Sequence, residues 1–206
     1  MIILIEPKRV AGFTSGGYRY QSSVFGQLLP DQGRIITADA GELRDLVDSL
    51  RIQYPDVLIV VDGLFAELSS RPLPGKCIAL LHMVPARSNW CEQPMHVVAT
   101  SASTAASVAS CSLSSTVVRP GIDHCFDQPR VVRVPGAAIQ IVCVGTVSAG
   151  KGQLRLVRIL KDISAQWRLA LVGSVDPHSD EVKDLMQASS GLPVELTGPV
   201  PIEEVA

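Results

Sequence analysis

The stretch Ile139-Gln-Ile-Val-Cys-Val-Gly145-Thr-Val-Ser-Ala-Gly150-Lys151-Gly152 decides how the rest of the chain is read. It opens with a short apolar, largely β-branched run of the kind that forms a buried strand. Gly145 then lets the backbone leave that strand sharply, and Gly150 and Gly152 let backbone amides approach a ligand. From Gly152 to Ser164 the pattern turns helical, with Leu154, Val157, Ile159 and Leu160 on the apolar side. A strand, a glycine turn and a helix in that order bring unpaired N–H groups and the positive end of a helix dipole to the turn. Lys151 adds a full positive charge. A diphosphate is the natural guest, and the plainer alternative is a tight turn that happens to carry an exposed lysine.

The same alternation extends in both directions. Apolar runs fall at Ile2–Ile5, Arg34–Thr37, Val57–Val61, Cys77–Leu81, Val97–Thr100, Thr116–Val118, Arg168–Val172 and Val194–Leu196. Most are apolar on consecutive positions, which predicts strands covered on both faces in a parallel sheet. Helical patterns lie between them at Tyr18–Leu29, Ala40–Gln53, Ser103–Cys111 and Ser179–Ala188. A strand-helix alternation of this kind predicts a doubly wound α/β architecture. The segment Asp127–Ala138, with two prolines and a glycine, separates two such series. The expected domains are therefore 1–134 and 135–206, and the second, with 72 residues (206 − 134), is too short for a complete doubly wound domain.

Composition narrows the function. The 206 residues carry 18 basic and 20 acidic side chains, a formal net charge of −2, which argues against a nucleic-acid binder needing a basic face. No stretch approaches the roughly 20 apolar residues that span a bilayer, and Glu6, Lys8 and Arg9 interrupt the N-terminal run too early for a signal peptide. Cys77, Cys91, Cys111, Cys125 and Cys143 contain no C-x-x-C pair, so reduced, mostly buried thiols are expected rather than a zinc site or disulfide framework. His82, His96, His124 and His178 are scattered and form no metal-binding motif. The serines of Ser101–Ser115 are expected to cover a helix N-terminus.

Gly145 through Lys151 also fits the first seven positions of a P-loop. Gly152 stands where that loop requires Ser or Thr for Mg²⁺, and the apolar strand ending in Asp62 comes too early in the chain. More of the sequence is similar to another group. The block around Gly145–Gly152, then Trp167-Arg-Leu-Ala-Leu-Val-Gly173, then Val194-Glu-Leu-Thr-Gly198-Pro-Val200, resembles in order and spacing the donor domain of family-four (group 1) glycosyltransferases. Upstream, Thr14-Ser-Gly16-Gly17 resembles that family's N-terminal Gly-Gly loop, Val61-Asp62-Gly63-Leu64 the end of a central strand, and Leu80-Leu81-His82 the strand ending in an active-site histidine. Val98-Ala-Thr-Ser101 and Arg119-Pro120-Gly121-Ile122-Asp123 resemble its strand-helix junction and the turn before its second domain.

The resemblance implies a GT-B fold, a Rossmann-like N-terminal domain followed here by an incomplete second Rossmann-like domain. It implies a retaining transferase that moves a sugar from a nucleotide-sugar donor, the nucleotide-diphosphate sugar being substrate, with no cofactor and no metal. Residue by residue, it places Lys151 on the donor diphosphate, Gly16 and Gly17 with their amides at its far side, Gly173, Gly198 and Val200 near the nucleoside, and His82 near the transferred sugar. The acceptor (saccharide, lipid or small molecule) is left open, as are the donor base and sugar. A cytoplasmic site, in some relatives peripheral to the inner membrane face, is implied as well.

Three departures shape the expectation. Thr146 stands where the family often has an arginine, which removes a phosphate contact. Only fourteen residues separate His82 from the Val97 run, so an acceptor-side helix is expected to be short or missing. The family's Glu-x7-Glu block would follow the Thr197–Val200 turn, beyond Ala206, and Glu203 and Glu204 do not replace it. The expectation is a truncated transferase of weak or no activity, with homo-oligomer formation through its incomplete second sheet. The alternative is a non-catalytic Rossmann-type nucleotide-binding or interaction remnant. Asp62 and Asp123 are read as structural turn or capping residues as readily as functional ones.

Overall fold

Nine parallel strands among the described residues, at the nine apolar runs, organise the chain. In a computed structural model, which describes residues 1–8, 16–69, 71–85, 90, 96–109, 113–121 and 138–201, they form two sheets in two compact units, Met1–Gly121 and Ile122–Ala206. The expected boundary at 134/135, together with Asp123, His124 and three of the cysteines, lies outside the described residues.

The first unit runs β1 (Ile2–Pro7), α1 (Gly16–Phe25), β2 (Gly33–Ala38), α2 (Leu43–Gln53), β3 (Leu58–Asp62), α3 (Phe65–Leu68), β4 (Ile78–Leu81), β5 (Val97–Ala99), α4 (Ala102–Ala109) and β6 (Ser115–Val117). Its six strands lie in the order β2-β1-β3-β4-β5-β6, all parallel. The helices α1 and α2 end earlier and start later than the apolar pattern alone suggests. Gly26 closes α1 with its N–H on the Ser22 carbonyl, and a turn bonding Glu42 N–H to Asp39 O precedes α2. The short α3 carries no periodicity of its own in the sequence.

Strand pairing settles which side chains share a face. Ile5 pairs with Val61, and Asp62 with Leu80, so Leu4, Glu6, Val60, Asp62, Leu80 and His82 alternate onto one side of the sheet. The other side carries Ile3, Ile5, Ile59, Val61, Ala79 and Leu81. These pack with Leu43, Val47 and Leu50 of α2, Phe65 and Ala66 of α3, and Val108 of α4 in the main core. Each fully buried Leu or Val there contributes about 2 kcal/mol. Ser101 Oγ accepts the Thr104 N–H at 3.0 Å, so a serine does cap α4. The strand order reverses between β1 and β3, which makes the crevice outside their carboxyl ends the topological switch point, where α/β sheets bind ligands.

The second unit runs β7 (Ile139–Val144), a single 3-10 turn (Ala149–Lys151), α5 (Gln153–Lys161), β8 (Trp167–Val172), α6 (Asp180–Ser189) and β9 (Val194–Gly198), with its sheet ordered β7-β8-β9. Both helices pack on one face, against Ile139, Ile141, Cys143, Leu169 and Leu171. Here the reading of β7 as covered on both faces is corrected. Its burial alternates, leaving Val142 59% and Val144 56% exposed, because both helices of the unit pack on the opposite face.

Candidate functional site

In the first unit the site grows from the end of β3 and the first turns of α1. Asp62, the last residue of β3, is buried and accepts at both oxygens, Oδ1 from the Leu64 N–H at 2.8 Å and Oδ2 from the Gln21 side-chain amide. It is therefore the turn residue its position suggested, and it also joins a cluster the sequence did not reveal. The same Gln21 Nε2 stands 3.2 Å from His82 Nε2, just past the end of β4. Gln21 is wholly buried, and its Oε1 finds no partner among the described residues.

Gly17, Tyr20 and Gln21 lie at spacing i, i+3, i+4, so α1 presents one face to His82. A Cβ at Gly17 would stand 3.0 Å from His82 Cδ2, and Tyr20 meets the imidazole edge-on at a centroid distance of 5.4 Å. The missing side chain at Gly17 thus lets the helix lie against the histidine. Gly16, by contrast, has open space around it. Burial pushes the His82 imidazole below its ordinary pKa, outweighing the upward pull of the Asp62 charge. It likewise pushes the Tyr20 phenol up. His82 is consequently an uncharged hydrogen-bonding group near neutral pH.

Buried glutamine is the signal that could have pointed to this cluster. A polar residue four positions after Gly17, on the side of the helix that must meet the sheet, needs a partner there. Cys77, the other chemically notable group of the unit, lies beside Arg51 at 3.2 Å, and burial pushes its thiol up to about 11, so it is unreactive.

The second unit builds its site from backbone. Gly145 and Gly173 end β7 and β8, with φ of 147° and 152°, and a Cβ at Gly173 would fall 2.3 Å from the Gly145 carbonyl oxygen. Only glycine fits where these strand ends meet. Gly198, at the end of β9, completes the row, its carbonyl accepting the Gly173 N–H at 2.9 Å. Val200 follows, half-buried.

The loop between β7 and α5 is held by Gln153, the first residue of α5 and 1% exposed. Its Nε2 donates to the carbonyls of Gly145 (3.3 Å) and Thr146 (3.1 Å), and its Oε1 accepts the Ser148 N–H at 3.4 Å. Thr146 bonds Ser174 Oγ at 2.8 Å and so ties the two strand-end loops together. Lys151 is exposed, with its aliphatic stem over Gly145. It borders an open hollow of about 430 Å³ whose wall also includes Gly150, Gly152, Arg155, Arg158 and Glu181. Three cations, one carboxylate and the first turn of α5 make that wall favourable to an anion.

The expected site residues therefore fall into two groups, Gly16, Gly17 and His82 in the first unit and Lys151, Gly173, Gly198 and Val200 in the second. Each group gathers at the carboxyl ends of its own parallel strands. Most of the segment between His82 and Val97, where an acceptor-side helix was expected short or missing, lies outside the described residues, as do Glu203 and Glu204.

No protein-family model and no curated protein matches the sequence. Among solved structures, the chain is similar to the lipopolysaccharide outer core galactosyltransferase WaaB in its apo form, with a TM-score of 0.63 at 13% identity over 100% of this chain and 70% of that one. It is also similar to Alr3699/HepE of Anabaena, solved in complex with UDP and glucose, with a TM-score of 0.60 at 15% identity over 99% of this chain and 71% of that one. The fold is thus of the GT-B glycosyltransferase type, with a six-stranded parallel sheet followed by a three-stranded one. No helix among the described residues is long and apolar enough to cross a membrane.

Proposed function

We propose that this chain binds a nucleotide-sugar donor and serves sugar transfer with retention to a saccharide, lipid or small-molecule acceptor. The observation that carries the reading is the loop at Gly145–Gly152, held in shape by Gln153 and closed against Gly173, with Lys151 and the first turn of α5 at its mouth. A preformed loop of this kind meets a diphosphate without first paying the entropy of ordering itself. Lys151 would neutralise the diphosphate as it leaves, the work a metal ion does elsewhere. His82, uncharged, would offer a hydrogen bond to the sugar, and Gly16 and Gly17 would bring backbone amides to the phosphates. Gly173, Gly198 and Val200 would border the nucleoside.

Thermal unfolding of the full chain with UDP, GDP or ADP tests the reading. A nucleoside diphosphate at 100 times its Kd should stabilise the chain by about 2.7 kcal/mol. Lys151→Ala should abolish most of that gain. Absence of stabilisation by every nucleoside diphosphate would overturn the donor site.

A second reading, a non-catalytic interaction module that self-associates, is favoured by the exposed Val142 and Val144 on the open face of the second sheet. It calls for a concentration-dependent increase in molecular mass by light scattering, reversed by Val144→Lys, without any response to nucleotide.

A further inference from the structure

The Gln21 side-chain nitrogen stands between two groups that make opposite demands on most side chains. Asp62 Oδ2 on one side is an acceptor, and its partner oxygen is already fixed by the Leu64 N–H. That fixes the amide with its nitrogen, rather than its oxygen, toward the carboxylate. An amide nitrogen carries two hydrogens and no available lone pair. With one hydrogen on Asp62, the second faces His82 Nε2 at 3.2 Å, and an N–H on that ring atom would meet it hydrogen to hydrogen.

We propose that Gln21 is a positioning residue that holds the His82 proton on Nδ1, so that His82 serves the site as an Nδ1–H hydrogen-bond donor and not as a base through Nε2. The chain of constraint runs from the Leu64 N–H to Asp62, to Gln21, to His82, and each link is buried or half-buried. Gly17 and Tyr20 fix the ring from two further sides. Burial keeps the ring uncharged, so one ring nitrogen retains a lone pair able to accept the Gln21 hydrogen. Among the described residues, titratable groups near the ring include Asp62, Tyr20 and, beside Asp62 on β1, Glu6.

The assignment deepens the transferase reading by naming the ligand group His82 recognises. An N–H donor seeks an acceptor such as a sugar hydroxyl oxygen, and it cannot remove a proton from one. The consequence for the reaction rests on that reading, whereas the tautomer itself does not.

The test is ¹⁵N–¹H correlation of the imidazole rings in the full chain labelled at histidine, near pH 8, with His82→Asn identifying the His82 signals. The expected wild-type result is a protonated Nδ1 and an unprotonated Nε2. In Gln21→Met the pattern should invert or split between tautomers. A proton on Nε2 in the wild type, or an unchanged tautomer in a folded Gln21→Met chain, would overturn the assignment. If Gln21→Met does not fold, the wild-type spectrum decides alone. Stabilisation by UDP, measured on the same sample, separates the two readings. A proton on Nε2 with UDP binding intact refutes the role of Gln21, and Nδ1–H without any nucleotide response refutes the transferase reading.

Discussion

Each unit places a buried glutamine in the first two turns of a helix, and the two glutamines do different work. Gln153 spends its amide on backbone, bonding Gly145, Thr146 and Ser148 and so fixing the shape of a loop. Gln21 spends its amide on side chains, joining a carboxylate to an imidazole. The first arrangement would present fixed amides and Lys151 to the proposed anion. The second orients a ring whose proton position decides what it can recognise. The two sites should therefore fail in different ways, the second unit's by losing its fold and the first unit's by losing the setting of His82.

The largest effect should come from Gly173→Ala. The new Cβ would meet the Gly145 carbonyl oxygen at 2.3 Å, with backbone at a φ of 152° that disfavours any side chain. Backbone atoms at both strand ends would have to move, at a cost of about 3 kcal/mol. Amide exchange should localise the loss to β7 and β8, leaving β1 and β3 protected as before. Equal loss of protection in both units would show that the clash is not confined to the ends of β7 and β8.

Gln153→Leu should rank second. It leaves two carbonyls and one N–H of the loop without their partner, worth about 2 kcal/mol together, because part of the loop can turn to water. Urea unfolding measures the stability. UDP stabilisation should fall with it, since a loop that samples several shapes presents its amides less often. A variant as stable as the wild type would show that the Gly145–Ser148 backbone holds its shape unaided.

The sequence made the frame of both sites legible for a physical reason. Short β-branched runs between helical patterns have few other ways to bury themselves, and all nine strands fall where those runs lie. What the pattern could not show was which faces are covered. β7 reads as apolar on consecutive positions, yet Val142 and Val144 face outward, because coverage depends on elements elsewhere in the chain. The two glutamines were hidden for a related reason. In a hydropathy pattern a glutamine counts as a surface residue, and only the neighbouring strands reveal that Gln21 and Gln153 are buried with specific partners. Glycines were easier to see than to interpret. Gly17 was expected to bring amides to a phosphate, and the structure adds that its bare Cα makes room for His82.

Gly17→Ala sharpens that last point. Alanine is the better helix former by up to about 1 kcal/mol, which offsets the cost of the 3.0 Å approach to His82 Cδ2. Stability should stay within about 1 kcal/mol of the wild type, while the ring is pushed away from α1 and its contact with Tyr20 loosens. Imidazole chemical shifts should change although urea midpoints barely move. Unchanged shifts would mean that α1 yields instead of the histidine.

The smallest effect concerns pH. Because burial lowers the His82 pKa in the folded chain, the unfolded chain binds the proton first as the solution is acidified. The contribution of a neutral His82 is fully present above about pH 6.5, the ordinary histidine value, and is lost as the pH falls through the lower folded value. Stability of the wild type should therefore decline between about pH 7 and pH 5 more steeply than that of His82→Asn, which carries no imidazole there. The difference between the two urea profiles isolates this ring from His96, His124 and His178, which both chains share. Parallel profiles would mean that Asp62 offsets burial and that the folded ring protonates as readily as the unfolded one. The hydrogen of Gln21 would then compete with a ring proton at Nε2, and the first unit's site would be set by charge instead of by tautomer.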